Sequence, residues 1–210
     1  MIRGRMPLTL EKYCHGTITA ERMAVGDVRG TLQYVPMFRG RTFVVVLDEG
    51  LPEFAVAEAL LDLKALQEVG VNLVIAVVGE KKGGGAVAER AMDIEIKFAP
   101  VETLDEVASV LERGQAAMMN CRAGRVLGEE MSSLGTGVEA AKLIGLVNGP
   151  GVLRDGQPLH AVSCSALTDL GEVPEKGGAI EGVELLEAAA AACQAGVPRV
   201  HILDGRRQGV

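Results

Sequence analysis

Unbroken apolar runs, more than strict alternation, set the rhythm of this chain. TFVVVL (42–47), VNLVIAVVG (71–79) and AKLIGLVNG (141–149) are strand-length and apolar on consecutive positions. A strand buried on one face alternates, whereas a strand covered on both faces reads as a continuous run of Val, Ile and Leu. The runs therefore predict central strands of a sheet covered on both sides. Between the first two lies PEFAVAEALLDLKALQEVG (52–70), which predicts a helix. Its expected inward stripe is Phe54, Ala57, Leu60, Leu61 and Ala65, with Gly70 as the C-terminal stop. Strand, helix, strand makes a βαβ unit with a right-handed crossover.

The alternation continues. AVAERAM (86–92) predicts a short helix, IEIKFAP (94–100) a half-exposed strand, and VETLDEVASVLERG (101–114) a helix capped by Thr103 and stopped by Gly114. QAAMMNC (115–121) fits a strand or a helix, and VLGEEMSSLGTG (126–137) is helical as far as Leu134. PGVLRDGQPLH (150–160) reads as a hairpin with Asp155-Gly156 at its tip. GAIEGVELLEAAAAACQAG (178–196) is an alanine-rich helix ending at Gly196, and PRVHILDG (198–205) a last strand. The whole predicts an α/β fold, a three-layer αβα sandwich on a mainly parallel sheet. Residues 1–30 read as an N-terminal extension with short helical pieces, and GTLQYVPMFRG (30–40) as a brief helix or turn limited by Pro36.

In such folds ligands lie beyond the carboxyl ends of the strands. Those ends are Asp48–Gly50, Gly79–Gly85, Asn120–Gly124, Asn148–Gly151 and Asp204–Gly205. The GEKKGGG turn brings Lys81 and Lys82 beside Gly83, Gly84 and Gly85, whose backbone N–H groups can approach an anion. It reads either as an anion-holding turn or as a solvated strand-to-helix loop, and no Lys-Ser/Thr follows to make a Walker loop. Lys176, Gly177 and Gly178 carry the same two readings. Asp48, Glu49 and Glu53 are either turn acids in water or a cation-binding or basic group. Ser163, Cys164 and Ser165 lack a nucleophile elbow and read as turn chemistry.

Composition narrows the classes. Of 210 residues 48% are apolar but only 3% aromatic, so Val, Leu and Ala fill the core and stacking platforms for single-stranded nucleic acid are scarce. A net charge of −7 disfavours nucleic acid and anionic membranes as partners. No run approaches the ~18 apolar residues of a membrane span, and the first residues lack the apolar centre of a signal peptide, so a cytoplasmic setting is expected. The cysteines, Cys14, Cys121, Cys164 and Cys193, form no C-x-x-C pair and read as free thiols, and no metal set is expected.

Five segments carry a family resemblance: YVPMFRGRTFVVVL, DLKALQEVGVNLVIAVVG, AAKLIGLVNGPGVLRDGQPL, KGGAIEGVE and QAGVPRVHILDGR. Together, and in this order from about residue 31, they resemble the acetylglutamate kinase branch of the amino-acid kinase family. They are similar also to the kinase-like domain of N-acetylglutamate synthase. The resemblance implies an acyl-amino-acid lobe over about 31–118 and a nucleotide-type lobe over about 119–210. It implies ATP and Mg as cofactors, a transferase that phosphorylates a carboxylate in arginine biosynthesis, and homodimers or pairing with a homologue. It places Gly79, Gly83, Gly84, Gly85 and Asn120 on the substrate side, and Asn148, Lys176, Gly177, Gly178 and Asp204 on the nucleotide side.

The chain departs from that pattern at the charged positions. The family's K-x-G-G falls on Val46-Leu47-Asp48-Glu49, and its H-G-G-G on Val77-Val78-Gly79-Glu80, with Gly83–Gly85 able to stand in after a short insertion. An aspartate becomes Gly124, T-D becomes Val147-Asn148, and a lysine becomes Gly182. The strand pair that closes the family's nucleotide lobe does not follow DGRRQGV, so those carboxyl-terminal strands are expected to be missing. Removing one charged transition-state contact costs about 3 kcal/mol. Two readings follow. One is a non-catalytic homologue that binds an acetylglutamate-like metabolite or arginine, without a cofactor. The other is a divergent acylamino-acid kinase that uses Lys81 or Lys82 with the Gly83–Gly85 loop.

Overall fold

The computed structural model describes residues 37–79, 84–121, 128–159 and 180–207. The fold is that of the unit Phe38–Val210. Its elements are β1 (Thr42–Asp48), α1 (Glu53–Glu68), β2 (Asn72–Val78), α2 (Gly84–Asp93), β3 (Phe98–Pro100), α3 (Leu104–Glu112) and β4 (Ala116–Cys121). There follow α4 (Glu129–Gly137), β5 (Lys142–Val147), β6 (Leu153–Arg154), β7 (Gln157–Pro158), β8 (Ile180–Glu181), α5 (Val183–Gln194) and β9 (Val200–Asp204).

Six strands form one sheet in the order β3-β4-β2-β1-β5-β9. Every neighbouring pair in it is parallel. The apolar runs explain the order. In β1, Phe43 to Leu47 are all buried, which requires cover on both faces. On one face Val44, Val46, Val74 and Ala76 meet Val107 and Val110 of α3, Met131 and Leu134 of α4, and Ala192 of α5. On the other, Phe43, Val45, Leu73 and Ile75 meet Leu60 and Leu63 of α1, and Val87 and Ala91 of α2. Each such side chain contributes about 1.5–3 kcal/mol on burial. This is the expected αβα sandwich on a parallel sheet.

Local details follow the turn chemistry. Asp155 and Gly156 have φ of 52° and 72°, the two positive values a tight hairpin turn needs between β6 and β7. At the start of α3, Glu106 accepts the N–H groups of Glu102 and Thr103 at 2.8 and 3.4 Å, closing orphan donors of the first turn. QAAMMNC resolves as strand β4, and α4 runs on past Leu134 to Gly137.

Two expectations are corrected. The inward stripe of α1 is Ala55, Leu60 and Leu63, with Val56, Ala59 and Leu66 beside it, while Phe54 and Leu61 stand 51% and 54% exposed. Leu60 and Leu61 differ by about 100° around the axis, and this helix is apolar on both sides, so spacing alone does not select the face. Of IEIKFAP only Phe98–Pro100 joins the sheet, because Glu95 takes a left-handed φ of 62° and ends the preceding helical turn. Among the described residues no helix is long and apolar enough to cross a membrane.

Candidate functional site at the carboxyl edge of the sheet

A parallel sheet delivers all its carboxyl ends to one edge. The register aligns Asp48 with Val78, Val78 with Cys121, and Val147 with Asp204. The edge therefore reads, in spatial order, Asn120, Gly79, Asp48, Asn148, Asp204. Strands lie ~4.8 Å apart, so the four steps span ~19 Å. Asn120 on the expected substrate side and Asp204 on the expected nucleotide side thus flank Asp48.

Asp48 is held by the chain itself. Its Oδ1 accepts the Gly50 N–H at 2.7 Å, and its Oδ2 accepts the Asn148 N–H, longer, at 3.4 Å. The adjacent Glu49 donates its own N–H to the Val78 carbonyl at 2.9 Å. Its side chain lies over Gly79, where an added Cβ would overlap it. The Gly79 N–H goes to the Cys121 carbonyl at 3.3 Å, and the Gly205 N–H to the Val147 carbonyl at 3.0 Å. The main-chain donors of Glu49, Gly50, Gly79, Asn148 and Gly205 are thus engaged within the chain.

Asp204 is also committed. Arg206 reaches it in a bidentate pair, Nε to Oδ1 at 2.8 Å and Nη2 to Oδ2 at 2.9 Å. Those hydrogen bonds hold the Asp204 carboxyl below its ordinary range and raise the guanidinium further. Beside Asn120, the half-buried Cys121 thiol is pushed up by burial first and by Glu130 second, which keeps it a poor nucleophile.

Gly84 and Gly85 open α2, and a Cβ at Gly85 would meet nothing within 4 Å, so no close approach demands a glycine there. Gly182 is different. It sits at φ 76° before α5, and a Cβ would stand 2.7 Å from the Gly151 carbonyl oxygen. Lys81, Lys82, Gly83, Lys176, Gly177 and Gly178 lie outside the described residues, as do Gly124 and Ser163 to Ser165.

At the middle of the described strand ends Asp48 takes the Gly50 and Asn148 N–H groups, and no group of three His, Cys, Asp or Glu able to hold a metal occurs among the described residues. Away from this edge, a cavity of about 570 Å³ runs along β3, lined by Met92, Ile96, Phe98 and Pro100 with Lys97 and Gln115. Sequence reasoning found the acids but missed the Asp48–Asn148 contact, which bridges a hundred residues and leaves no local signal. It also missed the Asp204–Arg206 pair, which the two-residue spacing across a turn could have suggested.

The architecture recurs in solved structures. N-acetylglutamate synthase from Neisseria gonorrhoeae, complexed with coenzyme A and L-arginine, is similar with a TM-score of 0.71 and 18% identity, covering 90% of this chain and 62% of that one. The chain thus spans less than two thirds of the synthase's length. The protein smu.665 from Streptococcus mutans UA159 is similar with a TM-score of 0.57 and 15% identity, over 78% of this chain and 94% of that one. No protein-family model matches the sequence, and no curated protein does.

Proposed function

The chain has the amino-acid kinase fold, and on that scaffold we infer a non-catalytic protein that binds a small metabolite and transfers no phosphoryl group. The observation that carries this reading is Asp48. Its carboxylate takes the Gly50 and Asn148 N–H groups at the middle of the edge where a phosphate would need them. Phosphoryl transfer depends on positioned cations and N–H donors, and at this point the chain supplies anions.

The ligand class follows from the same charge. A chain of net charge −7 with acids at its central strand ends favours a cationic amino acid over a multiply charged anion. L-arginine, present in the synthase structure, is the candidate that fits this charge.

Calorimetric titration of the full chain with L-arginine tests the binding half of the reading. Saturable heat that L-lysine does not reproduce supports it. No saturable heat with L-arginine contradicts it.

A further inference from the structure

We propose that the outward face of α1 docks an amphipathic helix of a partner protein, apolar on one side and flanked there by Lys or Arg. Phe54, Ala57, Leu61 and Ala65 fall at i, i+3, i+7 and i+11, a single line along a helix. The core takes the opposite side, through Ala55, Leu60 and Leu63. Phe54, Leu61 and Ala65 are exposed, and Ala57 is partly buried. α1 is thus apolar on two faces, the pattern of a helix covered on both. An isolated exposed apolar side chain is ordinary. Here a Phe and a Leu stand two turns apart with alanines between and beyond them. That relief of ridge and gap is what a second helix packs into.

Charge names the partner. At 100° per residue, Glu53 and Lys64 lie on one flank of this line, beside α2, and Glu58 and Asp62 lie on the other. The first flank is neutralised within the chain: Arg90 stands 3.9 Å from Glu53, and Glu95 3.4 Å from Lys64. The second flank is bare. Glu58 and Asp62 are one turn apart, a like-charge spacing that destabilises a helix, and neither forms an ion pair among the described residues. A second copy of the chain does not supply the missing cation. Antiparallel pairing of two such faces sets Glu58 and Asp62 against the same acids of the other copy. Parallel pairing sets them against Lys64, which Glu95 already holds. A helix that brings its own Lys or Arg beside an apolar stripe satisfies both the ridge and the bare acids.

The probe is a 16-residue peptide, as long as α1, with Leu on one helical face and Lys on the other. It is labelled and followed by fluorescence anisotropy against the full chain, beside a Leu/Glu peptide of the same pattern. Phe54→Ser/Leu61→Ser removes the ridge, and Glu58→Gln/Asp62→Asn removes the bare charges. Glu102→Gln/Glu112→Gln is the control. It makes the same change of net charge at exposed positions flanking α3, on the other face of the sheet.

Saturable binding of the Leu/Lys peptide is expected, weakened about tenfold or more in each α1 variant and unchanged in the control. The Leu/Glu peptide should not bind. No saturable binding would overturn the proposal, as would a ridge variant that binds undiminished. So would a control that loses as much as Glu58→Gln/Asp62→Asn, since net charge alone would then account for the effect. If the ridge variant does not unfold cooperatively, the charge variant set against its control decides the matter. Sedimentation velocity gives a further arm: a wild-type dimer that Phe54→Ser/Leu61→Ser dissociates would assign this face to a second copy and contradict the proposal.

Discussion

Glu49 and Gly79 end adjacent parallel strands, and the glutamate side chain fills the space that a Cβ at Gly79 would need. The pair is thus coupled through excluded volume. Gly79→Ala is expected to destabilise the fold by about 1–3 kcal/mol, as overpacking does. In a Glu49→Ala background the same change should cost well under half of that. Urea unfolding of the four proteins checks it, and equal costs in the two backgrounds would count against the packing described.

A side chain at Gly182 is strained. The left-handed φ costs a side chain about 1–2 kcal/mol, and the Gly151 carbonyl oxygen stands 2.7 Å from where the Cβ would be. Gly40, at φ 72°, has the same backbone problem with nothing within 4 Å. Gly182→Ala should therefore be more destabilising than Gly40→Ala by about 1 kcal/mol or more, and Gly182→Lys should gain no nucleotide binding. Unfolding midpoints of the two alanine variants give the comparison directly.

His201 makes the fold sensitive to acid. Its Nε2 is buried without a hydrogen-bond partner, and burial, then Lys142, then Arg199 lower its pKa from the ordinary 6.5. Lys142 itself lies over the Phe38 and Phe43 rings, 4.5 and 5.1 Å from their centroids. As pH falls below 6.5 the unfolded chain takes up the proton first, so stability declines until the folded-state value is passed and then levels off. His201→Gln should flatten that decline. Urea unfolding from about pH 8 to pH 5 measures it.

The Asp204–Arg206 pair acts in a lower window. The folded pKa of Asp204 lies below its ordinary 3.8, so its contribution is present above that value and is lost as pH falls through the folded one. Arg206→Ala removes the leading cause, and the Asp204 resonance should then titrate close to the ordinary range in a carboxyl-detected NMR series. An unchanged titration would mean that the guanidinium does not set it.

Much of the fold was legible because burial on both faces writes itself into consecutive apolar residues, as in Phe43–Leu47 and Leu73–Val78. Glycines with positive φ, such as Gly70 and Gly114, marked helix ends for the same local reason. The face of α1 was not legible, since Phe54 and Leu61 are as apolar as Leu60 and Leu63, and only docking onto β1 and β2 selects between them. At the site, the apolar runs and the turns after them showed which strand ends would gather but not what they do to one another. The grip of Asp48 on the Asn148 N–H depends on β1 and β5 being neighbours in register, which is a property of topology and not of local spacing.

The most direct measurement is acetylglutamate-dependent ADP release from ATP and magnesium by the full wild-type chain, followed in a coupled assay against a no-enzyme baseline. A rate indistinguishable from that baseline is predicted. Saturable, protein-dependent turnover that disappears in Lys81→Ala/Lys82→Ala would contradict the account and identify a working kinase.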